Sequence, residues 1–353
     1  MKIKKLSVEK LWNKHTFTID FNDDITILIG KNGSGKSTIL NLIDDLLSNG
    51  KSNKDYKFSS INLSFDEKRE IKVEQQRFSV ESKIEQLDSI KILLDKIRED
   101  ISLKGKFEEK NELEKKLFLE ENDFSDNEID YLFLNTFDME VQQSHRVLTN
   151  SNTQKHYQGK SYIKTELDIL LNSLITDFKL YLLKIKEEVE LIQNEFDKQL
   201  NKYTEENNIN GLKEKLLEKS EKLKNVYQNR DTFKNKINQL FVDTGKKITL
   251  DENNSIIFEL EDNDSLTPYQ LSSGEKQILI IMLNIMLLDN KPTILLMDEP
   301  EISLHVEWQS IFIETLLELN PNLQIIIATH SPAMVSKNFR SKIIKLSNFK
   351  VQN

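Results

Sequence analysis

Four stretches of the chain hold side chains whose types and spacing suit phosphate chemistry. Gly30-Lys31-Asn32-Gly33-Ser34-Gly35-Lys36-Ser37-Thr38 stands directly behind the apolar run Ile25-Thr26-Ile27-Leu28-Ile29. Glycines at this spacing let the backbone N–H groups of Asn32, Gly33, Ser34 and Gly35 turn inward around a β-phosphate, at the positive end of the helix that follows. Lys36 then reaches the β- and γ-phosphates, Ser37 offers its hydroxyl to Mg²⁺, and Thr38 is placed for the α-phosphate. Thr293-Ile294-Leu295-Leu296-Met297-Asp298-Glu299-Pro300 is an apolar strand ending in two carboxylates. Asp298, beside the phosphate loop, suits Mg²⁺ held through water, while Glu299, with its side chain directed elsewhere, can take the proton of an attacking water. Gln324-Ile325-Ile326-Ile327-Ala328-Thr329-His330 is a further apolar strand that delivers a histidine. Leu271-Ser272-Ser273-Gly274-Glu275-Lys276-Gln277 opens an apolar helix from Ile278 to Leu288, and its Ser-Ser-Gly start supplies an N-cap and exposed amide donors.

These groups need a scaffold, and the hydrophobic pattern supplies one. Residues 3 to 8, 16 to 21 and 25 to 29 read as strands, with Asn22-Asp23-Asp24 as the turn between the last two. The helix after the loop carries Ile39, Leu40, Leu42, Ile43, Leu46 and Leu47 on its apolar face. Ile61 to Phe65 and Glu70 to Glu74 alternate with period two and predict an antiparallel hairpin. Tyr131 to Leu134 and Lys342 to Leu346 read as short strands. Apolar strands that each end in polar chemistry predict an α/β fold in which the active groups gather at the carboxyl edge of one parallel sheet.

Between the two β-rich ends the period is helical. Ile84, Leu87, Ile90, Leu94, Ile97 and Ile101 recur at three and four, and a second stretch lies around Leu113, Leu117 and Phe118. From Leu167 to Phe196 a near-heptad repeat runs until Asn207-Asn208-Ile209-Asn210-Gly211 breaks it, and Leu212 to Leu240 resume it. Two antiparallel arms, about 163–206 and 211–240, or the helices of a compact lobe packed on the β core, both fit this pattern. A 30-residue arm would reach about 45 Å. The expected divisions are 1–80 and 241–353 for the two parts of the β-rich head and 81–240 for the helical insertion.

Composition excludes several classes. The 353 residues are 38% hydrophobic and 30% charged, which describes a soluble, helix-rich chain. Met1-Lys2-Ile3-Lys4-Lys5 leads into a strand and not into an apolar signal region, and the apolar run from Ile278 to Leu288 is interrupted by Asn284 and far short of a membrane span. A cytoplasmic protein is expected. With no cysteine, disulfides, thiol nucleophiles and Cys-ligated zinc are excluded. The net charge of −9 argues against a surface coated in positive potential while leaving room for a local basic groove.

The set GKNGSGKST, LSSGEKQ, LLMDEPE, ISLH and ATHSP, in this order, closely resembles the ABC-type ATPases that are not transporters. The likeness is strongest to the branch shared by the overcoming-lysogenization-defect nucleases, RecF-type repair proteins and the ATPases of anti-phage systems such as Septu, PARIS and retron-linked effectors. It covers roughly residues 1–60 and 240–350. The resemblance implies an ABC-type P-loop ATPase head, with a mixed sheet and antiparallel β hairpins, that hydrolyses ATP with Mg²⁺. It further implies that two heads sandwich two nucleotides, so that Ser272 and Gly274 of one copy cap the γ-phosphate held by Lys36 of the other. Glu299 would be the general base, His330 the switch that touches the γ-phosphate, and Ser303, Leu304 and His305 the segment crossing the dimer interface. Either Gln142 or Gln143 would link the metal, held by Ser37 and Asp298, to the helical lobe; a solvent-facing loop is the alternative for both. Trp12 either stacks on adenine or packs in the first hairpin.

Departures from the pattern narrow the role. Ser273 and Glu275 stand where transporters usually carry glycine and often glutamine. The arms are too short for a chromosome-organising ATPase, and without cysteine there is no zinc hook. The nuclease domain that follows the head in overcoming-lysogenization-defect proteins is not expected, because the sequence stops shortly after the strand near Leu346. The expected function is an ATP-driven switch that dimerises or forms a higher oligomer through its heads and controls a separate effector, a nuclease or toxin, in anti-phage defence. The alternative is a RecF-like repair ATPase that clamps DNA, and no membrane partner is expected.

Overall fold

The strands follow the alternation of their residues. β1 (Lys5–Leu11) and β2 (His15–Asp20) pair antiparallel, and β3 (Ile25–Ile29) leads into the loop before α1 (Lys36–Asn49). β1 runs on to Leu11, past its expected end at Val8, through an irregularity at which Lys10 takes a φ of 54°. β4 (Ser60–Ser64) and β5 (Glu70–Glu74) form the expected hairpin and complete a sheet of order β2-β1-β4-β5. β6 (Tyr131–Asn135) and β7 (Glu140–Gln143) come next, followed by the long helices α2 (Glu166–Glu205) and α3 (Ile209–Leu240). β8 (Lys247–Leu250), β9 (Ile256–Glu259) and β10 (Ser265–Leu266) make a small antiparallel sheet. α4 (Ser273–Leu287), β11 (Ile294–Asp298), α5 (Val306–Leu319), β12 (Gln324–Ala328) and β13 (Ile343–Lys345) complete the order. This computed structural model describes residues 1–49, 56–65, 69–74, 129–135, 140–143, 165–205, 209–262 and 264–346, so the helical periods expected at Ile84 to Ile101 and Leu113 to Phe118 lie outside the described residues.

The principal sheet has the order β13-β3-β12-β11-β6-β7. β13, β3, β12, β11 and β6 are mutually parallel and β7 is antiparallel, so the sheet is mixed. Its central strands are unbroken apolar runs because both of their faces are covered. Ile25, Ile27, Leu295, Met297, Ile325 and Ile327 point to one core, and the intervening Leu28, Leu296 and Ile326 to the other. The first core is closed by α2, α3, α4 and α5, with Phe178, Phe233, Ile278 and Phe312 fully buried or nearly so. The second is closed by α1 and the β2-β1-β4-β5 sheet, through Leu6, Val8, Ile39, Leu40, Ile43 and Ile61. One sheet thus divides two hydrophobic layers and fixes the strand ends from both sides.

α2 and α3 run side by side in opposite directions. Phe178 meets Phe233 with ring centroids 6.0 Å apart near the root, while farther out Lys219 lies 4.3 Å from the Phe196 ring centroid and Lys222 pairs with Glu195 at 3.5 Å. The root packs on α4, and the apolar face thins outward: Leu183 and Leu191 on α2 and Leu217 on α3 are exposed. Among the described residues no helix is long and apolar enough to cross a membrane.

Two buried ion pairs tie the hairpin to α4. Lys276 Nζ lies 2.8 Å from Asp168 Oδ1 in the first turn of α2, with the side chains 12% and 3% exposed. Lys246 Nζ, just beyond α3, lies 2.6 Å from Glu275 Oε1. Cutting one partner of such a pair leaves an uncompensated charge in the interior, which costs far more than losing a surface pair. Lys276→Ala is therefore expected to lower unfolding stability by about 3 kcal/mol. Asp168→Asn combined with Lys276→Gln should recover part of the loss, because no charge is then left buried; urea unfolding of the three proteins checks both statements.

Candidate functional site

The carboxyl ends of β3, β12 and β11 are adjacent, and each delivers one part of the site. Ala328 is in register with Leu28 on one side and Asp298 on the other, and the amides of Thr329 and Glu299 donate to the carbonyls of Leu28 and Ala328 at 3.1 and 2.8 Å. The loop of residues 30–35, the Asp298-Glu299 pair and His330 therefore emerge side by side, where parallel sheets bind ligands.

The loop has the backbone of a phosphate cradle. Gly33 and Gly35 hold φ values of +76° and +92°, and a Cβ at either would meet no atom within 4 Å. Conformation and not space demands glycine there. A side chain at Gly30, by contrast, would collide with Ser34. Among the described residues the buried Ser34 hydroxyl has no hydrogen-bond partner, so a phosphate oxygen would meet an unfilled donor. Lys36, the first residue of α1, is 4% exposed, and Thr38 follows in the same first turn. Its Nζ donates to Gly30 O at 3.4 Å and lies 2.5 Å from His330 Nε2. The roles of donor and acceptor in this contact, as in the one Nε2 makes with Glu299, depend on the imidazole tautomer.

The two acids have different surroundings. Asp298 is buried, and burial pushes its carboxyl up; the Ser37 hydroxyl donates to it and opposes the shift, Glu299 adds to it, Lys36 opposes it, and the net direction is upward. A hydroxyl and a carboxylate side by side are hard oxygen ligands of the kind Mg²⁺ takes when phosphates and waters complete its octahedron. Among the described residues no cluster of three or more His, Asp or Glu could hold a metal alone, and Ser37 with Asp298 forms a partial ligand set that fits a metal arriving with a nucleotide. Glu299 adopts a left-handed backbone, φ 47° and ψ 51°, a conformation that costs a non-glycine residue on the order of 1 kcal/mol. Its Oε1 lies 3.3 Å from His330 Nε2.

The other expected residues lie elsewhere. Ser272 is the N-cap of α4 and forms a capping box with Glu275: the Ser272 amide and hydroxyl both donate to Glu275 Oε2 at 2.9 Å, and the Glu275 amide donates to Ser272 Oγ. Burial raises the Glu275 carboxyl, but Lys246 and the two Ser272 donors outweigh it and hold it below the ordinary glutamate value. A glutamine could not accept these bonds as an anion, which accounts for a glutamate at this position. Gly274 lies in the first turn of α4. Ser303 closes the short helical turn Pro300–Ser303, next to Ile302 and Val306, which are 52% and 67% exposed. Gln142 and Gln143 are on β7, opposite Phe133 and Leu132; because β7 runs away from the edge, Glu140 and Asn135 hold the register of Asp298. Trp12 is at the β1–β2 turn, 43% exposed and edge-on to His15. Lys246 and Asp168 escaped the sequence reading, since their partners are 29 and 108 residues away and no local pattern marks them.

Known proteins resemble this chain in family, in sequence and in solved structure. Residues 25–336 match the family described as "AAA domain, putative AbiEii toxin, Type IV TA system". A Vibrio cholerae protein named "Retron Vc95 probable ATPase" is 27% identical over 389 aligned positions, spanning 96% of this chain and 71% of that protein. The lipoprotein-releasing system ATP-binding protein LolD of Buchnera aphidicola is 35% identical over 82 positions, 23% of this chain and 35% of its own length. Similar solved structures include the SMC head domain of Thermotoga maritima, at 17% identity and a TM-score of 0.40, covering 95% of this chain and 91% of that one. The Smc head of Pyrococcus furiosus bound to the C-terminal domain of ScpA aligns at 14% identity and a TM-score of 0.42, covering 98% of this chain and 93% of that one.

Proposed function

Because the chain belongs to this AbiEii-type AAA-domain family, we propose that it is an ATPase whose nucleotide closes a head-to-head dimer and thereby controls a separate effector in anti-phage defence. The observation that carries the catalytic half is the convergence of Lys36, Glu299 and His330 at one sheet edge, beside the Ser37–Asp298 pair. Lys36 and the amides of residues 32–35 bind the phosphates, and Thr38 adds its hydroxyl to the same end of α1. Glu299 takes the proton of a water attacking the γ-phosphorus, the phosphate leaves ADP, and His330 donates a hydrogen bond to the γ-phosphate oxygens as charge builds on them. Ser37 and Asp298 would hold Mg²⁺, which when bound neutralises charge on the β- and γ-phosphate oxygens. Trp12 is assigned to the adenine.

Ser272 and Gly274 complete the partner's site, and the exposed Ile302 and Val306 flanking Ser303 supply apolar surface for the contact between copies. The name of the retron-linked relative supports the defence assignment, with a nuclease or toxin as the effector. A complementation assay tests the shared site. Lys36→Ala and Ser272→Arg are each expected to be inactive alone, and an equimolar mixture to regain turnover, since a mixed dimer contains one site built from the intact Lys36 of one copy and the intact Ser272 of the other. A mixture as inactive as its components would show that each chain works by itself.

A further inference from the structure

We propose that Glu301 is the positioning residue of His330, and that Gln309 ties the same loop to the turn that follows Glu299. The inference rests on the reading of His330 as the group facing the γ-phosphate. Glu301 Oε1 accepts two consecutive backbone amides, those of His330 at 2.6 Å and Ser331 at 3.1 Å. A carboxylate bonded by amides on either side of one Cα fixes that residue's backbone, and with it the direction in which its side chain leaves. Gln309, in the first turn of α5 and 7% exposed, completes the lacing. Its Oε1 accepts the Ser331 hydroxyl at 2.6 Å, while its Nε2 donates to Leu304 O at 2.9 Å and to Glu301 O at 3.3 Å. The Ser331 hydroxyl in turn accepts the Ala333 amide at 3.1 Å.

The charge on Glu301 needs this explanation. Glu301 stands close enough to Asp298 to help raise that carboxyl, so a third acid near Asp298 and Glu299 adds repulsion wherever it is not compensated. Two amide donors on one oxygen are the compensation, and they leave that oxygen no part in proton transfer. The arrangement also makes the turn Pro300–Ser303 and the His330 loop move together, because the bonds from Glu301 and Gln309 span both. Any displacement of the exposed turn by a second copy of the chain would therefore reach the imidazole.

The test is a double-mutant cycle on ATP turnover. Glu301→Ala should lower kcat on the order of 10²-fold, the scale of a catalytic group misplaced by about 1 Å, with KM and ATP affinity changed less than about threefold. Glu301→Gln, whose amide oxygen still accepts both N–H groups, should restore most of the rate. In a His330→Ala background the Glu301→Ala change should add almost nothing, because the group it positions is already gone. Gln309→Met, which keeps the volume and removes the bonds, should show a smaller loss with the same lack of additivity, and serves if Glu301→Ala does not fold. Multiplicative losses in the double variant, or Glu301→Gln as slow as Glu301→Ala, would overturn the positioning role alone. Wild-type turnover by His330→Ala would overturn the reading of His330 as well.

Discussion

Glu299→Gln is expected to bind ATP with near wild-type affinity, to hydrolyse it about 10²–10⁴-fold more slowly, and to accumulate as an ATP-dependent dimer. Glutamine keeps the shape of the side chain and can occupy the same left-handed backbone, so the bend after β11 survives. What disappears is an oxygen able to take a proton. The flanking machinery is untouched: the Ser37–Asp298 pair remains, as does the contact of Lys36 with His330. Single-turnover hydrolysis measures the chemical step, and light scattering behind size exclusion, with and without ATP, measures the dimer. Turnover within tenfold of wild type would place the base on another residue, and slow turnover without a dimer would separate hydrolysis from assembly.

Lys36→Ala is expected to remove ATP binding at ordinary concentrations. A buried ammonium making charge-assisted hydrogen bonds to phosphate contributes about 1.5–3 kcal/mol, which corresponds to roughly 10–150-fold in affinity. The loss should depend on the ligand: ATP and ADP weaken together, because the side chain reaches the β- and γ-phosphates, whereas AMP changes little. Calorimetric titration with the three nucleotides separates this from a general collapse of the loop, which would weaken all of them alike. Folding should be preserved, since Lys36 gives the fold a long bond to Gly30 O, the contact with His330 and electrostatic support of Asp298, and no apolar packing is lost.

Much of this arrangement was legible because its signals are local. The loop of residues 30–38 needs two glycines at positive φ, a lysine and a hydroxyl within one turn of chain, and the strands before Asp298 and His330 announce themselves by being apolar on both faces. The antiparallel β4–β5 hairpin follows from period-two alternation in the same way, the paired helices were one of the two arrangements the near-heptad repeat allowed, and the mixed sheet was expected from the resemblance alone. What stayed hidden acts across distance. Glu301 was visible as one more acid after a proline, but its partners lie 29 and 30 residues away, and no propensity links a carboxylate to the amides of another loop. Glu275 was noted as a departure from a pattern, while its reason, Lys246 arriving from the end of α3, depends on how three elements pack. The direction of β7, which sets where Gln142 falls relative to the edge, is likewise a property of pairing and not of the residues themselves.

The pairs Asp168–Lys276 and Lys246–Glu275 fasten both legs of the helical hairpin to neighbouring residues of one turn, immediately after Ser272 to Gly274. That attachment makes the hairpin a lever with its fulcrum at the first turn of α4. α2 is 40 residues long. At 1.5 Å per residue its far end is about 60 Å from the root, so a tilt of about 5° at the first turn of α4 moves the tip by roughly 5 Å. If a phosphate at Ser272 to Gly274 shifts that turn, as the proposed dimer requires, the expected result at the other end of the molecule is a stroke about as long as one turn of helix.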